Sequence, residues 1–191
     1  LSNLMISHIK NKIKYLKKKN LIKHNSSILD IGSNDGTFLN NLNKSMQLIG
    51  IDPAAEKFKH LYKKNIIFCN NFFSKKNIEN FLKKKIGKKI QFDLITSFAM
   101  FYDVENPNSF CRDINKVLSP NGLWISEFSY FPLLLKNLTY DQICHEHVTY
   151  YTLNTFKNVI EKNGLRIINI SFNEINGGSI EVICAKKTSK F

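Results

Sequence analysis

The sequence has almost no arginine, although it is strongly basic. Its net charge is +13, yet Arg112 and Arg166 are the only arginines among 28 basic residues. Proteins that recognise phosphate groups usually recruit the planar guanidinium as well as lysine. We therefore interpret the positive charge as a solvated lysine surface. An RNA-binding or RNA-modifying protein is kept as an alternative function only.

Closely spaced cysteines and long apolar runs are also absent. Cys69, Cys111, Cys144 and Cys184 form no CxxC pair, which argues against a zinc ribbon. Scattered cysteines are typical of a reducing cytosol. No apolar run approaches the length of a membrane-spanning helix, and the first residues do not resemble a secretory signal. We expect a cytoplasmic protein without membrane insertion.

The composition that is present supports a folded domain. Of 191 residues, 43% are hydrophobic, and these include 15 phenylalanines, enough for a substantial core. Apolar runs alternate with helical patterns along the chain. We expect residues 1–24 to form a basic N-terminal helix that leads into a domain over residues 25–191.

Strands that alternate with helices predict an α/β fold with a mostly parallel sheet. The strands are predicted at 27–31, 46–51, 65–70, 92–99, 123–129, 165–172 and 179–187, and the helices at 4–19, 36–44, 54–63, 76–87, 107–118 and 152–162. The turn at 176–178 contains two glycines and is suited to an antiparallel hairpin. The sheet is therefore predicted to have seven strands, with the last one antiparallel to its neighbours.

The first predicted strand runs into a loop with the sequence DIGSNDG, residues 30–36. In open α/β sheets, ligands bind beyond the carboxyl ends of the strands. This loop lacks the middle glycine of a dinucleotide fingerprint and places Asp35 where a phosphate would lie, so like charges would repel. A cofactor with a cationic centre, such as S-adenosylmethionine, fits better. A helix cap would by itself explain Asp30 or Asp35.

The next two strands end in residues that suit the rest of such a cofactor. Asp52 follows the second strand, where a carboxylate accepts hydrogen bonds from ribose hydroxyls. An ordinary turn before Pro53 would also explain Asp52. After the third strand, Asn71 is suited to the edge of an adenine and Phe72 to stacking on its face.

The fourth strand ends in the sequence AMFYD, residues 99–103. Met100 and Phe101 are candidates to line the cofactor. Asp103 is a candidate to face the substrate.

Two of the five histidines lie in YDQICHEHVTYY, residues 140–151, and three interpretations follow from the residues alone. Metal ligation by His145 and His147 lacks both the spacing of a zinc-binding helix and an evident third ligand, so no metal is predicted. A hydrogen-bonded loop without catalytic function is the second interpretation. Proton transfer is the third, because histidine titrates near neutrality and a carboxylate such as Glu146 can orient it.

Several motifs occur together in one order: ILDIGSNDGTFL, GIDPA, SFAMFYDVENPNSF, SEFSY, YDQICHEHVTYY and NGGSI. As a set they resemble the class I S-adenosylmethionine-dependent C-methyltransferases that act on nucleotide-linked deoxysugars in deoxysugar and surface-polysaccharide pathways. The resemblance extends from about residue 25 to residue 183. It implies a Rossmann-like fold and a nucleotide-sugar substrate.

The resemblance also implies roles for individual residues. His147 is expected to be the general base, with His145 and Glu146 supporting it. From their positions in the sequence, apart from the resemblance, Tyr150, Tyr151 and Asp103 are candidates to contact the substrate. The resemblance implies that the cofactor binds to the loop residues Gly32, Ser33, Asn34 and Gly36, to Asp52 at the ribose, and to Asn71 and Phe72 at the adenine. Asp30 and Met100 are added as candidates from their places at the ends of predicted strands.

The sequence departs from the family pattern at three points. Cys144 stands where many members have tyrosine, and Asp103 stands where many have histidine, which puts the identity of the sugar in doubt. The zinc-binding and C-terminal domains that flank this domain in the family are missing from the sequence. Methylation of an oxygen or nitrogen atom on another small molecule is kept as the main alternative.

Overall fold

Alternating strands and helices build a seven-stranded mixed sheet, as the sequence predicts. A computed structural model describes residues 2–191, apart from the side chain of Ala55. The strand order is β3-β2-β1-β4-β5-β7-β6. The strands are β1 (Ser27–Ile31), β2 (Gln47–Ile51), β3 (Ile66–Cys69), β4 (Phe92–Phe98), β5 (Leu118–Ser129), β6 (Leu165–Asn173) and β7 (Ser179–Lys186).

Residues 2–191 contain no helix that combines the length and the apolar character of a membrane span. Six α-helices are described in these residues. They are α1 (Asn3–Lys18), α2 (Thr37–Asn40), α3 (Lys75–Ile86), α4 (Pro107–Val117), α5 (Phe131–Asn137) and α6 (Leu153–Lys162). The basic helix α1 buries Ile9, Ile13 and Leu16. Their spacing places all three on one face of the helix, so the lysines remain on the other.

The chain divides into two compact units, residues 1–96 and 97–191. In the first unit, β1, β2 and β3 are parallel neighbours. Ile31 is paired with Ile51, and Ile51 is paired with Cys69. Because these residues end their strands, the loops that follow β1, β2 and β3 leave the sheet on the same side, at the carboxyl ends of the strands.

The second unit contains the predicted antiparallel hairpin. β7 pairs antiparallel with both β5 and β6, and the pairing with β6 is shifted by a bulge between Ile167 and Asn169. The turn requires glycine, because Gly177 has φ +76° and an added Cβ would lie 2.1 Å from the Thr139 side chain. The predicted direction of the last strand is confirmed.

An aromatic cluster forms the core of the second unit. Phe101 is fully buried at its centre. The ring centroids that lie 5.0–6.0 Å from that of Phe101 are those of Phe110, Trp124, Phe128, Tyr151 and Phe156. These distances are typical of favourable aromatic pairs.

Three local predictions were wrong in extent. α2 has only four residues because asparagine side chains compete for backbone groups: Asn41 donates to the Thr37 carbonyl, and Asn40 accepts from the backbone of Lys63. The helix predicted at 54–63 is a 3₁₀ helix that covers only residues 55–61. β5 begins at residue 118, five residues earlier than predicted, and its pairing with β7 starts only at Leu123.

Candidate active site

The loop after β1 is a tight turn built on left-handed residues. Gly32, Asn34 and Gly36 have φ values of +70°, +44° and +72°. Glycine adopts such values without strain, and asparagine tolerates them better than most residues. An added Cβ on Gly36 would lie 3.1 Å from the ring of Tyr62. The two glycines therefore let the loop turn away from β1 and pass close to its neighbours.

Asp52 holds this loop from the end of β2. Its side chain is buried. One carboxylate oxygen accepts a hydrogen bond from the Asn34 backbone N–H at 2.9 Å, and the other accepts from the Ala54 N–H at 2.7 Å. A carboxylate has about four acceptor positions. Asp52 can therefore fix the loop and still accept hydrogen bonds from ribose hydroxyls, the contact predicted for it.

Tyr62, which follows the 3₁₀ helix at 55–61, contacts the same loop, and it was not among the predicted site residues. Its hydroxyl oxygen lies 2.8 Å from Ser33 Oγ and 2.8 Å from the carbonyl oxygen of Asn34. The carbonyl can only accept, so the phenol donates to it. Partial burial raises the pKa of Tyr62, and the phenol stays protonated as this bond requires. A tyrosine in a lysine-rich segment gave no periodic signal that could reveal this contact.

Carboxyl groups concentrate around the loop. Asp30 is buried, and the Thr96 hydroxyl donates to it at 2.7 Å. Burial raises the pKa of Asp30 to about 7; the Thr96 hydrogen bond opposes the rise, and the charges of Asp52 and Asp35 add to it. Asp35, one residue before the N-cap Gly36 of α2, accepts from the backbone and hydroxyl of Thr37. Asp35 and Asp52, together with Asp30 where it is ionised, create a negative potential that would favour a bound cation.

Asp30→Asn should remove a pH dependence of stability. The pKa of Asp30 rises from 3.8 to about 7 on folding, so between roughly pH 4 and pH 7 the folded state keeps a proton that the unfolded chain has lost. The free energy of unfolding should therefore fall across this window as the pH rises, by on the order of 4 kcal/mol. Asparagine has no proton to lose and can still accept from Thr96, so the variant should lack this loss.

Urea denaturation at pH 5 and pH 8 without cofactor measures the part of the effect that lies between these values, about 3 kcal/mol. Asp93→Asn is the matched control, because it removes an exposed carboxylate at the start of β4. The control should keep the pH dependence of the natural sequence. The assignment to Asp30 fails if Asp30→Asn loses as much stability between the two pH values as the natural protein does.

The loop after β3 presents an exposed aromatic ring. Phe72 is 73% exposed. The preceding Asn71 accepts from the Phe72 backbone at 2.8 Å, and Asn77 of α3 donates both to the Asn71 side chain and to the Phe72 carbonyl. The ring is therefore held on an ordered turn, which suits the predicted stacking on an adenine.

The residues of the first unit fit S-adenosylmethionine chemically. Carboxylates suit its sulfonium and ammonium charges, the buried Asp52 suits its ribose, and the Phe72 ring suits its adenine. The contacts of Asp30, Gly32, Ser33, Asn34, Gly36, Asp52, Asn71 and Phe72 with it remain predictions. Met100 belongs to the second unit and is half-buried, and its contact with the cofactor also remains a prediction.

In the second unit, the turn at residues 101–103 contacts residues 140–151, called the HEH segment below after its residues 145–147. The Thr149 backbone N–H donates to the Tyr102 carbonyl at 3.1 Å. The rings of Tyr102 and His147 lie 4.1 Å apart between centroids, with an interplanar angle of 43°. Phe101, which was also predicted to line the cofactor, is instead buried in the aromatic core.

The half-buried His147 has a defined hydrogen bond. Its Nδ1 atom lies 2.8 Å from the backbone carbonyl oxygen of Gln142. Because a carbonyl has no proton to give, Nδ1 carries the hydrogen, and the lone pair of the neutral ring lies on Nε2. Such a ring can accept a proton at Nε2.

Acidic groups surround this histidine. Withdrawal from water raises the pKa of Asp103 to about 6; His147 opposes the rise and Glu146 adds to it. His145 and Glu146 are exposed beside His147. Asp103 therefore interacts with charges of both signs in this segment. The catalytic roles of His147, His145 and Glu146 remain predictions.

The two tyrosines predicted to contact substrate differ in environment. The hydroxyl of the half-buried Tyr150 donates to the Gln142 carbonyl at 3.1 Å. Tyr151 is only 2% exposed and packs against Phe101. The structure thus gives Tyr151 a packing role, and the substrate contacts of both tyrosines stay predictions.

Within residues 2–191, no group of three or more His, Cys, Asp or Glu side chains is arranged to hold a metal ion.

Comparison with known proteins identifies relatives of this chain. A family model described as a methyltransferase domain matches residues 3–170. The C-methyltransferase NovU of Streptomyces niveus is 26% identical over 164 residues, which cover 83% of this chain and 37% of that protein. The chain thus spans little more than a third of the length of this relative.

Solved structures share the fold. Magnesium protoporphyrin IX methyltransferase (ChlM) from Synechocystis PCC 6803, with bound SAH, has a TM-score of 0.66 at 13% identity and covers 95% of this chain and 83% of that one. The N-methyltransferase NodS from Bradyrhizobium japonicum WM9 has a TM-score of 0.65 at 15% identity, with coverages of 97% and 98%. The predicted Rossmann-like methyltransferase fold is confirmed.

The family match extends over most of the chain, from α1 into β6. The predicted enzyme class, a transferase of methyl groups with S-adenosylmethionine as its cofactor, is confirmed. The chain belongs to the methyltransferase domain family.

Proposed function

We propose that this methyltransferase transfers a methyl group to the carbon atom beside the keto group of a nucleotide-linked deoxysugar. The observation that carries the proposal is the hydrogen bond from His147 Nδ1 to the Gln142 carbonyl, which leaves Nε2 as the basic nitrogen of the ring. The distant similarity to a C-methyltransferase supports methylation at carbon. The motif set of the sequence supports the sugar nucleotide.

Carbon methylation needs a base because a C–H bond is not nucleophilic. A neighbouring ketone makes the C–H acidic, and His147 Nε2 takes the proton while the electron pair moves to the carbonyl oxygen as an enolate. S-adenosylmethionine supplies an electrophilic methyl group, which the enolate carbon attacks. One C–C bond forms, one C–S bond breaks, and the proton stays on His147 until it is released to water.

The acids beside His147 assist the first step. The imidazolium that forms is stabilised by nearby negative charge. Asp103 interacts electrostatically with His147, and Glu146 directly precedes His147 in the chain. His145, exposed in the same segment, is proposed to orient the substrate or its enolate oxygen.

Methyl transfer from carbon-13-labelled S-adenosylmethionine tests the proposal. The protein from its natural reading frame is incubated with a panel of 4-keto nucleotide sugars, and NMR identifies the atom that receives the label. The label should appear on a carbon beside the ketone. The corresponding 4-hydroxy sugars are the matched control and should not react, since their C–H bonds are not acidified. Label on oxygen or nitrogen would refute carbon methylation and favour the alternative activity.

Proton removal can also be observed without methyl transfer. With S-adenosylhomocysteine in place of the methyl donor, the sugar carbon should exchange its proton with heavy water. This exchange separates the action of the base from the later step.

A further inference from the structure

One backbone carbonyl receives two side-chain donors of the HEH segment. The Gln142 carbonyl oxygen lies 2.8 Å from His147 Nδ1 and 3.1 Å from the Tyr150 hydroxyl. A carbonyl oxygen has two lone pairs, so both donors can be satisfied together. The position of this single oxygen therefore decides which nitrogen of His147 carries the proton.

Gln142 is itself anchored to the sheet. The Ser129 hydroxyl, buried at the end of β5, donates to the Gln142 side-chain oxygen at 3.0 Å. The Gln142 backbone N–H donates to the Thr139 carbonyl, which closes the 3₁₀ turn at 140–142. A loop carbonyl is thereby connected through two short links to a strand of the core.

The ring of His147 is also restrained by its neighbours. Tyr102 lies beside it at a centroid distance of 4.1 Å, and Tyr150 approaches edge-on at 6.2 Å. Tyr102 is buried, whereas His147 is half-buried. The ring thus has packing contacts as well as a fixed partner for Nδ1.

We propose that Ser129, Gln142 and Tyr150 form a positioning relay that keeps His147 protonated at Nδ1 and basic at Nε2. The inference rests on the proposed function, because the relay acts through His147. In this role Tyr150 is a positioning residue, since its hydroxyl proton is committed to the Gln142 carbonyl. The same carbonyl continues to accept from Nδ1 after His147 has taken up a proton, so the relay supports both states of the base.

Tyr150→Phe tests the relay because it removes one hydroxyl and keeps the ring. Nitrogen-15 NMR of the histidine rings reports the tautomer directly, and the loss of one signal set in His147→Asn assigns His147. The natural protein should hold neutral His147 almost entirely as the Nδ1–H form. Tyr150→Phe should mix in the Nε2–H form and slow the heavy-water exchange by about 3- to 10-fold, the range of one neutral hydrogen bond.

Two further variants complete the experiment. Tyr140→Phe is the matched control, because it removes the hydroxyl of a 70% exposed tyrosine in the same segment. It should leave the tautomer and the exchange rate at their natural values. Ser129→Ala should shift the tautomer in the same direction as Tyr150→Phe. It gives an independent measurement if one variant folds poorly.

The outcomes separate the relay from the proposed function. The relay is refuted if natural His147 is mainly the Nε2–H form, or if both Tyr150→Phe and Ser129→Ala keep the natural tautomer and exchange rate. If the His147 tautomer changes in these variants but no 4-keto sugar exchanges its proton, the relay is supported and the proposed substrate is refuted. If exchange requires His147 but keeps its natural rate in the Tyr150 and Ser129 variants, the relay is refuted and the proposed function is supported.

Discussion

The His147→Asn variant should no longer catalyse exchange with heavy water of the proton on the sugar carbon beside the ketone. Asparagine keeps a polar side chain but has no basic nitrogen. A positioned general base contributes about 10²- to 10⁴-fold to a rate, so exchange should fall at least about 100-fold. Affinity for S-adenosylhomocysteine should change little, because the predicted cofactor loops are those after β1, β2 and β3. Calorimetry and NMR exchange measure the two effects separately.

Other histidines provide comparisons for this variant. His145→Asn should slow exchange less than His147→Asn, since His145 is proposed to orient the substrate rather than to accept the proton. His60→Asn is the control, because His60 is exposed in the 3₁₀ helix at 55–61 and should have no effect. Exchange at the natural rate in His147→Asn would show that another group is the base. Asp103 would then be the next residue to test.

Phe101→Ala should cause the largest loss of stability among single substitutions near the site. Phe101 is fully buried, and five other aromatic rings surround it. Removing a buried phenyl group loses its transfer free energy and leaves a cavity, which together cost about 3–5 kcal/mol. Urea denaturation without cofactor should show this decrease in the free energy of unfolding.

Phe72→Ala is the matched control for stability. It removes the same side chain from a position that is 73% exposed. The free energy of unfolding should change by less than about 0.5 kcal/mol, as is usual for surface substitutions. Equal losses for the two variants would show that the aromatic cluster is not the main support of this unit.

Phe101 also connects the core to the candidate site. Tyr102, which packs on His147, and Asp103, which shares its electrostatic environment, directly follow Phe101 in the chain. A Phe101→Ala protein that is stable enough to fold should therefore still lose activity, because the packing of Phe101 in the aromatic cluster would no longer fix the turn at 101–103. The smaller change Phe101→Leu should preserve more of both properties.

Much of the fold was predictable because its strands are buried. β1 was predicted at its observed bounds, residues 27–31, since a short apolar run between polar segments has few other interpretations. The hairpin at the C-terminal end was predictable because Gly177 and Gly178 occupy conformations that other residues avoid. The loops of the candidate site followed from the rule that ligands bind at the carboxyl ends of parallel strands.

The parts that were missed left no recognisable pattern in the sequence. α5 was not predicted because seven residues give too little periodicity, although Pro132 marks its start. The contact of Tyr62 with Ser33 joins residues 29 positions apart. The partner of His147 is a backbone carbonyl, and every residue has one. No residue pattern could indicate that this carbonyl belongs to Gln142.

The bulge in β6 has a consequence for the behaviour of the protein in concentrated solution. β6 is an edge strand, and the extra residue between Ile167 and Asn169 bends it. A bent edge is a poor template for a strand of a second molecule, so it resists aggregation by its shape. At the opposite edge, β3 is regular in its pairing, but Lys63 and Lys64 lie three and two residues before its first residue. One edge of the sheet is thus protected by geometry and the other by charge, so high salt should promote self-association through β3 first.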